Sequence, residues 1–282
     1  MVSVSRARPL LGTLVVVSAE GSRSSVDRGL AQAFEAVEAV ERRMSYFNPT
    51  SDVSRLNREA YKSPVHVHGQ TYRVLRQAQQ LSLLSNGIFD VTIAGVLVRE
   101  GFLPADEGAP AADPRAHFTD IQLGPDRQVR FRRRLRIDLG GIAKGFAVDQ
   151  ALAALRRAKV KKGWVNAGGD MAFFSDRAEN ILVRHPQQSD KMVSLGRVRQ
   201  GALASSAPAY SARGRSPYVR DGKTTRSNKG VTVAAPSAVW ADGLTKIALL
   251  SPENAPALLK KFRSRAFVMS PLGKRVTVRE VA

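Results

Sequence analysis

Arg136-Ile-Asp-Leu-Gly-Gly-Ile-Ala-Lys-Gly-Phe-Ala-Val-Asp149 is the stretch on which the reading of this chain turns. A short apolar run enters two adjacent glycines, Gly140 and Gly141, and a helix opens after them with Lys144 in its first turn. Paired glycines let backbone come close to a ligand, and the free N–H groups of a new helix favour phosphate oxygens. Lys144 adds a full positive charge to such a cradle. The spacing is neither that of a Walker A loop nor that of a dinucleotide G-x-G-x-x-G turn. A tight strand–helix turn with a surface lysine is an equally simple reading of these residues.

Two further segments have related logic. Trp164-Val-Asn-Ala-Gly-Gly-Asp170 places Gly168 and Gly169 after a strand and follows them with a carboxylate. Asp170 either accepts from hydroxyls or an adenine amine, or bonds its own turn backbone. Two glycine turns after strands in one half of the chain point to a nucleotide site. In Ala241-Asp-Gly-Leu-Thr-Lys246 a carboxylate lies near the start of a helix. There it is either a cap and dipole partner or a ligand holding a hard cation against phosphate.

Outward from these turns, Val26, Leu30, Phe34, Val37, Val40 and Met44 repeat at helical spacing and stop before Asn48-Pro49. Val74, Leu75, Ala78, Leu81 and Leu84 form a second helix that stops at Asn86-Gly87. Residues 144–158 form another helix, and shorter ones are expected near 240–250 and 253–262. Strand-like runs cover 10–18, 128–139, 163–167, 180–184, 191–198, 202–206 and 231–235, with a closing pair about Gly273. Residues 104–117 are linker-like, and 211–230 form a polar, basic loop. Helices and strands mix without a βαβ repeat, so the expected class is α+β: one domain over residues 1–282, of two lobes, with mixed sheets and flanking helices.

The 282 residues are 43% hydrophobic and 24% charged, which excludes disorder and fibre. With no cysteine there is no disulfide scaffold or thiolate metal site. No apolar run reaches the ~20 residues that span a bilayer, and Gly12 and Thr13 interrupt the first apolar stretch, so a soluble, cytoplasmic protein is expected. The net charge of +20 attracts polyanions without implying an evolved site for them. Its clusters are spread out: Arg130–Arg136 alternates like a strand with one wet face, and Lys161-Lys162 and Lys260-Lys261 follow or close helices. Aromatics are 6% and do not interleave with the basic runs, and no helix-turn-helix or zinc-finger spacing occurs, so no specific nucleic-acid partner is expected. His66, His68, His117 and His185 form no His-x-x-x-His pair.

Over nearly its whole length the chain resembles the ApbE family of FAD:protein FMN transferases. The likeness runs through Leu11-Gly-Thr13, Arg43-Met-Ser-Tyr-Phe-Asn-Pro-Thr-Ser51 with Leu56-Asn57, and Asn86-Gly-Ile-Phe-Asp-Val-Thr92. It continues in Asp138-Leu-Gly-Gly-Ile-Ala-Lys-Gly145 with Asp149, in Asn166-Ala-Gly-Gly-Asp170, and in Val231-Thr-Val with Ala241-Asp242. The resemblance implies an FAD site in which Phe47 packs on the isoalloxazine, Asp90, Thr92, Gly140 and Gly141 line the walls, and Lys144 lies near the phosphates. Gly168, Gly169, Asp170 and Ser206 would complete the nucleotide pocket. It implies magnesium held by Asp242 and a carbonyl near Ala143, and transfer of FMN to a threonine hydroxyl of an acceptor protein with release of AMP.

Two departures stand out. Lys246 occupies the position of the family's metal-ligating threonine, and Thr245 beside it is ~100° away around the helix. An ammonium there repels a divalent cation, so Lys246 is expected to replace part of the metal's charge, with catalytic weight on Lys144 and Lys246. The family's His-x-x-Asp-Pro segment is represented by Tyr218-Val-Arg-Asp-Gly222, which leaves Asp221 as the candidate base. These departures keep open a degenerate member that binds FAD without transferring it.

Overall fold

The computed structural model describes residues 1–106, 108–184, 192–206, 216–225, 229–272 and 275–281. Val2–Leu10 (β1) and Thr13–Gly21 (β2) form a hairpin whose two turn residues, Leu11 (φ 56°) and Gly12 (φ 68°), are both left-handed. That geometry matches strand twist in a two-residue hairpin. Of the strand expected over 10–18, residues 13–18 lie in β2, the turn falls at Leu11-Gly12, and β1 before it was not expected.

Arg23–Met44 (α1) follows, with the Ser22 hydroxyl accepting from Ser25 N–H as its N-cap. Next come Asp52–Glu59 (α2), Val65–His66 (β3), Gly69–Leu84 (α3) and Ala94–Arg99 (α4). Asn86 and Gly87 both take positive φ, and Gly87 N–H reaches Ser82 O at 2.8 Å, which ends α3 at the expected stop. The helices α2 and α4 were not expected from the sequence, being only 8 and 6 residues long.

Ile121–Leu123 (β4) and Gln128–Phe131 (β5) join β3 in a small antiparallel sheet. The strand expected through 139 ends at Phe131. Beyond it the buried Asn57 amide stands in for a neighbouring strand: Nδ2 donates to Ile137 O at 3.1 Å and Oδ1 accepts from Ile137 N–H at 2.8 Å. Arg136 is not on a wet face. It is buried, and its guanidinium donates to the carbonyls of Asp106, Ala109 and Pro110, strapping down the linker-like stretch.

The chain then forms Ala143–Arg157 (α5), Lys162–Ala167 (β6), Asp170–Arg184 (β7) and Met192–Ser206 (β8). The runs expected at 191–198 and 202–206 are thus one strand. The hairpin Val219–Arg220 (β9) and Lys223–Thr224 (β10) lies within the expected loop, of which 211–215 and 226–228 fall outside the described residues. Gly230–Ala235 (β11), Ala238–Leu250 (α6), Ala255–Lys261 (α7), Arg265–Leu272 (β12) and Arg275–Val281 (β13) complete the chain. Gly273 and His185 lie outside the described residues.

Eight strands form one antiparallel sheet in the order β1-β2-β6-β7-β8-β11-β12-β13. In β6 Gly163, Val165 and Ala167 are buried while Lys162, Trp164 and Asn166 are half-exposed, the period of two that one covered face requires. On that face α1 lies against β2, α5 against β6 and β7, and α6 against β8 and β11. Together they build one core around Val15, Val17, Leu30, Phe34, Leu155 and Val165. A smaller cluster of Phe173, Ile181 and Leu203, with Trp164 packed on it, is separate from that core. No helix among the described residues is long and apolar enough to cross a membrane.

Candidate functional site

The glycine turn, Gly140-Gly141, delivers the chain into the N-terminus of α5, and Gly145 lets α6 touch that first turn. A Cβ on Gly145 would lie 2.2 Å from Ala238 O and 2.8 Å from Asp242 Cβ. The close approach allows α5 and α6 to cap each other. Gly145 N–H of α5 donates to Asp242 Oδ2 of α6 at 3.0 Å. In return Asp149 of α5 accepts from Ala238 N–H at 2.8 Å and Val239 N–H at 2.9 Å, at the start of α6. Each carboxylate satisfies orphan donors of the partner helix, next to the positive end of its dipole.

Lys144 points to Asp170 at the start of β7, with Nζ 2.7 Å from Oδ2. Burial opposes the ammonium, but Asp170 and Asp242 outweigh it, so Lys144 stays charged with its pKa raised. Burial and the nearby Asp242 charge push Asp170 above the ordinary carboxylate value, against the pull of Lys144 and Lys246. Asp242 is fully buried, yet Lys246, Lys144 and the Gly145 N–H together hold its pKa below the ordinary value. Lys246 Nζ donates to Asp242 Oδ1.

These groups border a cavity of about 310 Å³ lined by Ile88, Phe89, Asp90, Val91, Asp138, Gly140, Gly141, Lys144, Ser206, Tyr218 and Lys246, among others. Its lining combines apolar side chains, Ile88, Phe89 and Val91, with two ammoniums, Lys144 and Lys246. That is the chemistry of a ligand with a flat apolar part and an anionic part. The α5 N-cap residue, Ile142, makes no side-chain cap bond, and Asp242 of α6 serves that end instead.

The structure brings Asp90, Gly140, Gly141, Lys144, Ser206 and Lys246 to the cavity wall and places Asp170 and Asp242 directly behind the two lysines. Thr92 is one step back: its N–H and Oγ1 both donate to Asp90 Oδ1 at 2.7 Å, fixing the turn. Gly168 (φ 64°) and Gly169 (φ 104°) form the β6–β7 turn, with Gly169 N–H donating to Asn166 Oδ1, and do not line the cavity. Their role is to aim Asp170. Phe47 is 70% exposed on the loop after α1, edge-on to Tyr46, and does not line the cavity either; Phe89 and Tyr218 are the aromatic residues on its wall.

Asp221 departs from its expected role. It sits with φ 51° beside Gly222 (φ 70°) at the tip of the β9–β10 hairpin, its side chain 90% exposed, within reach of Arg220 rather than the cavity. Tyr218, just before β9, and Val219 at its start line the cavity instead. Sequence reasoning overlooked Asp138 as a wall residue, although the quoted motif begins with it. Burial raises its pKa, while N–H groups of Gly140 and Leu139 and the charges of Lys144 and Lys246 work the other way.

An eight-stranded antiparallel sheet with a cross-capped helix pair and a cavity bordered by two lysines defines the class of protein: an α+β fold with a cationic pocket at the α5–α6 junction. The chain belongs to the ApbE family, whose sequence model matches residues 11–269. It is 24% identical over 271 residues to an FAD:protein FMN transferase of Haemophilus influenzae, covering 86% of this chain and 78% of that one. A Vibrio cholerae FAD:protein FMN transferase is 29% identical over 149 residues, covering 48% of this chain and 43% of that one. Among solved structures, the flavin transferase ApbE from Vibrio cholerae superposes with a TM-score of 0.82 at 20% identity, covering 100% of this chain and 97% of that one. The apo flavinyl transferase ApbE of Pseudomonas stutzeri does so with a TM-score of 0.82 at 20% identity, covering 99% and 95%.

The residues expected to hold magnesium do not fit it. Both Asp242 oxygens already accept, one from Lys246 and one from Gly145 N–H. Thr245 is fully buried; its Oγ1 donates to Asp242 O at 2.7 Å and pairs with Ser206 Oγ at 2.8 Å. Ala143 is the first residue of α5. No group of three or more His, Cys, Asp or Glu suited to a metal occurs among the described residues.

Proposed function

We propose that this chain transfers the FMN half of FAD to a threonine hydroxyl of an acceptor protein and releases AMP. The carrying observation is the cavity whose lining combines Lys144 and Lys246 with the apolar side chains of Ile88, Phe89 and Val91. Membership of the ApbE family and the names of its relatives support the same reading. At about 310 Å³ the cavity is near the lower end of ligand pockets, ~300–1,000 Å³, a size suited to part of a dinucleotide.

In the reaction the acceptor hydroxyl oxygen attacks the phosphorus on the riboflavin side of the diphosphate. The bond from that phosphorus to the bridging oxygen breaks, AMP leaves with the bridging oxygen, and the hydroxyl proton passes to a base. Displacement at phosphorus rests on positioning and on neutralising charge. Lys144 and Lys246, oriented by Asp170 and Asp242, supply that charge. Of the carboxyls on the described wall, Asp90 holds together its own turn and the Phe118 segment, whereas the Asp138 carboxylate lies beside the glycine turn, 2.9 Å from where a Cβ on Gly140 would be. Asp138 accepts from the backbone of its own turn, and we assign it the proton.

The test is purified protein incubated with FAD and a threonine-containing acceptor peptide, followed by mass spectrometry. The expected products are a peptide carrying one FMN through a phosphoester and an equal amount of AMP. FAD that binds and is recovered intact with every acceptor tried would make the chain a flavin-binding module instead.

A further inference from the structure

We propose that Lys246 stands permanently in place of a divalent cation in this site, so that the cavity binds a diphosphate without metal; the inference rests on the flavin-nucleotide reading above. The Lys246 ammonium donates to Oδ1 of a carboxylate that is fully buried and whose other oxygen is taken by Gly145 N–H. The one adjacent hydroxyl, that of Thr245, is spent inside the protein on Asp242 O and Ser206.

Magnesium demands near-octahedral oxygen ligation at ~2.0–2.1 Å and is usually bound through one or two carboxylates. Here the carboxylate that would serve is neutralised by a cation built into the same helix, one turn along. A divalent ion would have to displace that ammonium and leave it in a buried place without its counter-charge.

The lysine is also placed to act on a ligand. Its side chain is 14% exposed and lines the cavity, and its stem passes beside Gly141, where an added Cβ would lie 3.7 Å from Lys246 Cε. An ammonium carries three donors, of which Asp242 takes one. Asp242 is thereby a positioning residue, fixing both the α5 N-terminus and the cation at the mouth of the glycine turn.

The experiment uses the full chain stripped with EDTA. FAD affinity is measured by flavin fluorescence in EDTA and in excess Mg²⁺, and Mn²⁺ binding is measured separately by electron paramagnetic resonance. Wild type should bind FAD equally under both conditions and leave Mn²⁺ free. Lys246→Met should bind FAD at least about ten-fold more weakly in EDTA, the effect of one lost charged contact. The same variant should take up Mn²⁺ at the released Asp242.

Wild-type FAD affinity that depends on Mg²⁺, or wild type that binds Mn²⁺ stoichiometrically at Asp242, overturns the proposal. The wild-type arms decide it even if the variant does not fold. Absence of FAD binding under both conditions would instead remove the flavin reading, and the Mn²⁺ titration would still decide whether the site takes metal.

Discussion

Gly145 is the residue on which the geometry of the site depends most directly. Its missing Cβ is what allows α6 to lie on the first turn of α5, and the obstacle is a backbone oxygen 2.2 Å away that no rotamer change can clear. Gly145→Ala is expected to cost about 3 kcal/mol, the upper part of the overpacking range, and to weaken FAD binding by parting Gly145 N–H from Asp242. Thermal melts and FAD titration of the variant check both effects. Lys144 carries a second prediction at this scale. Lys144→Met strips the buried Asp170 of its partner at 2.7 Å and should cost about 3–5 kcal/mol. The double variant Lys144→Met/Asp170→Asn should recover most of that loss in urea unfolding, since no buried charge is then left alone. Lys144 was legible from the motif. That its partner is Asp170, 26 residues on, was not, because a pairing between β7 and α5 is decided by how the sheet turns.

Among the elements, α5 and α6 behave as one unit because each supplies the other's cap. Asp149 holds two donors of α6, and its carboxyl pKa is pushed up to about 6, chiefly by burial, with the Asp242 charge adding to it against the two N–H bonds. A raised carboxyl pKa means that the folded protein binds the proton more tightly. Its contribution to stability is therefore full below the ordinary value of 3.8 and is lost as pH climbs through about 6. The stability of wild type relative to Asp149→Asn should fall between acidic and neutral pH, as urea midpoints of the two proteins would record.

The N-cap of α3 has the opposite sign. His68 Nδ1 accepts from Gln70 N–H at 3.1 Å, a bond only the unprotonated nitrogen can make. Burial, with repulsion from Arg43, lowers its pKa. Its contribution is present above the ordinary value of 6.5 and is lost as pH falls through the lowered folded value. A pH series of melts on His68→Ala against wild type should show the two curves converging in acid. The long helices α1, α3 and α5 were readable because their apolar faces repeat over three or more turns. The short α2 and α4 were not, since 8 and 6 residues hold too few repeats to separate from loop.

Across the whole molecule, the +20 charge and the cavity make separable contributions. Attraction of the surface to polyanions is an electrostatic effect carried by many exposed cations. Binding to duplex DNA should drop by roughly ten-fold or more between about 50 and 200 mM salt, without sequence preference. The buried lysines are screened far less, so FAD affinity should change much less over the same range. Filter binding and flavin fluorescence in parallel salt series compare the two.

The sequence by itself determined the α+β class, the long amphipathic helices and the glycine turn with Lys144, because those follow from local periodicity and from residues whose backbone demands are intrinsic. Its resemblance to the ApbE family also marked Lys246, four residues after Asp242, as a departure. The tertiary structure alone decided that Asp221 sits at an exposed hairpin tip, that Phe47 lies off the cavity, that Asp138 is on its wall, and that the Asp242 oxygens are taken. Side-chain direction and pairing across distant strands depend on how sheet and helices pack, and local sequence does not carry that information.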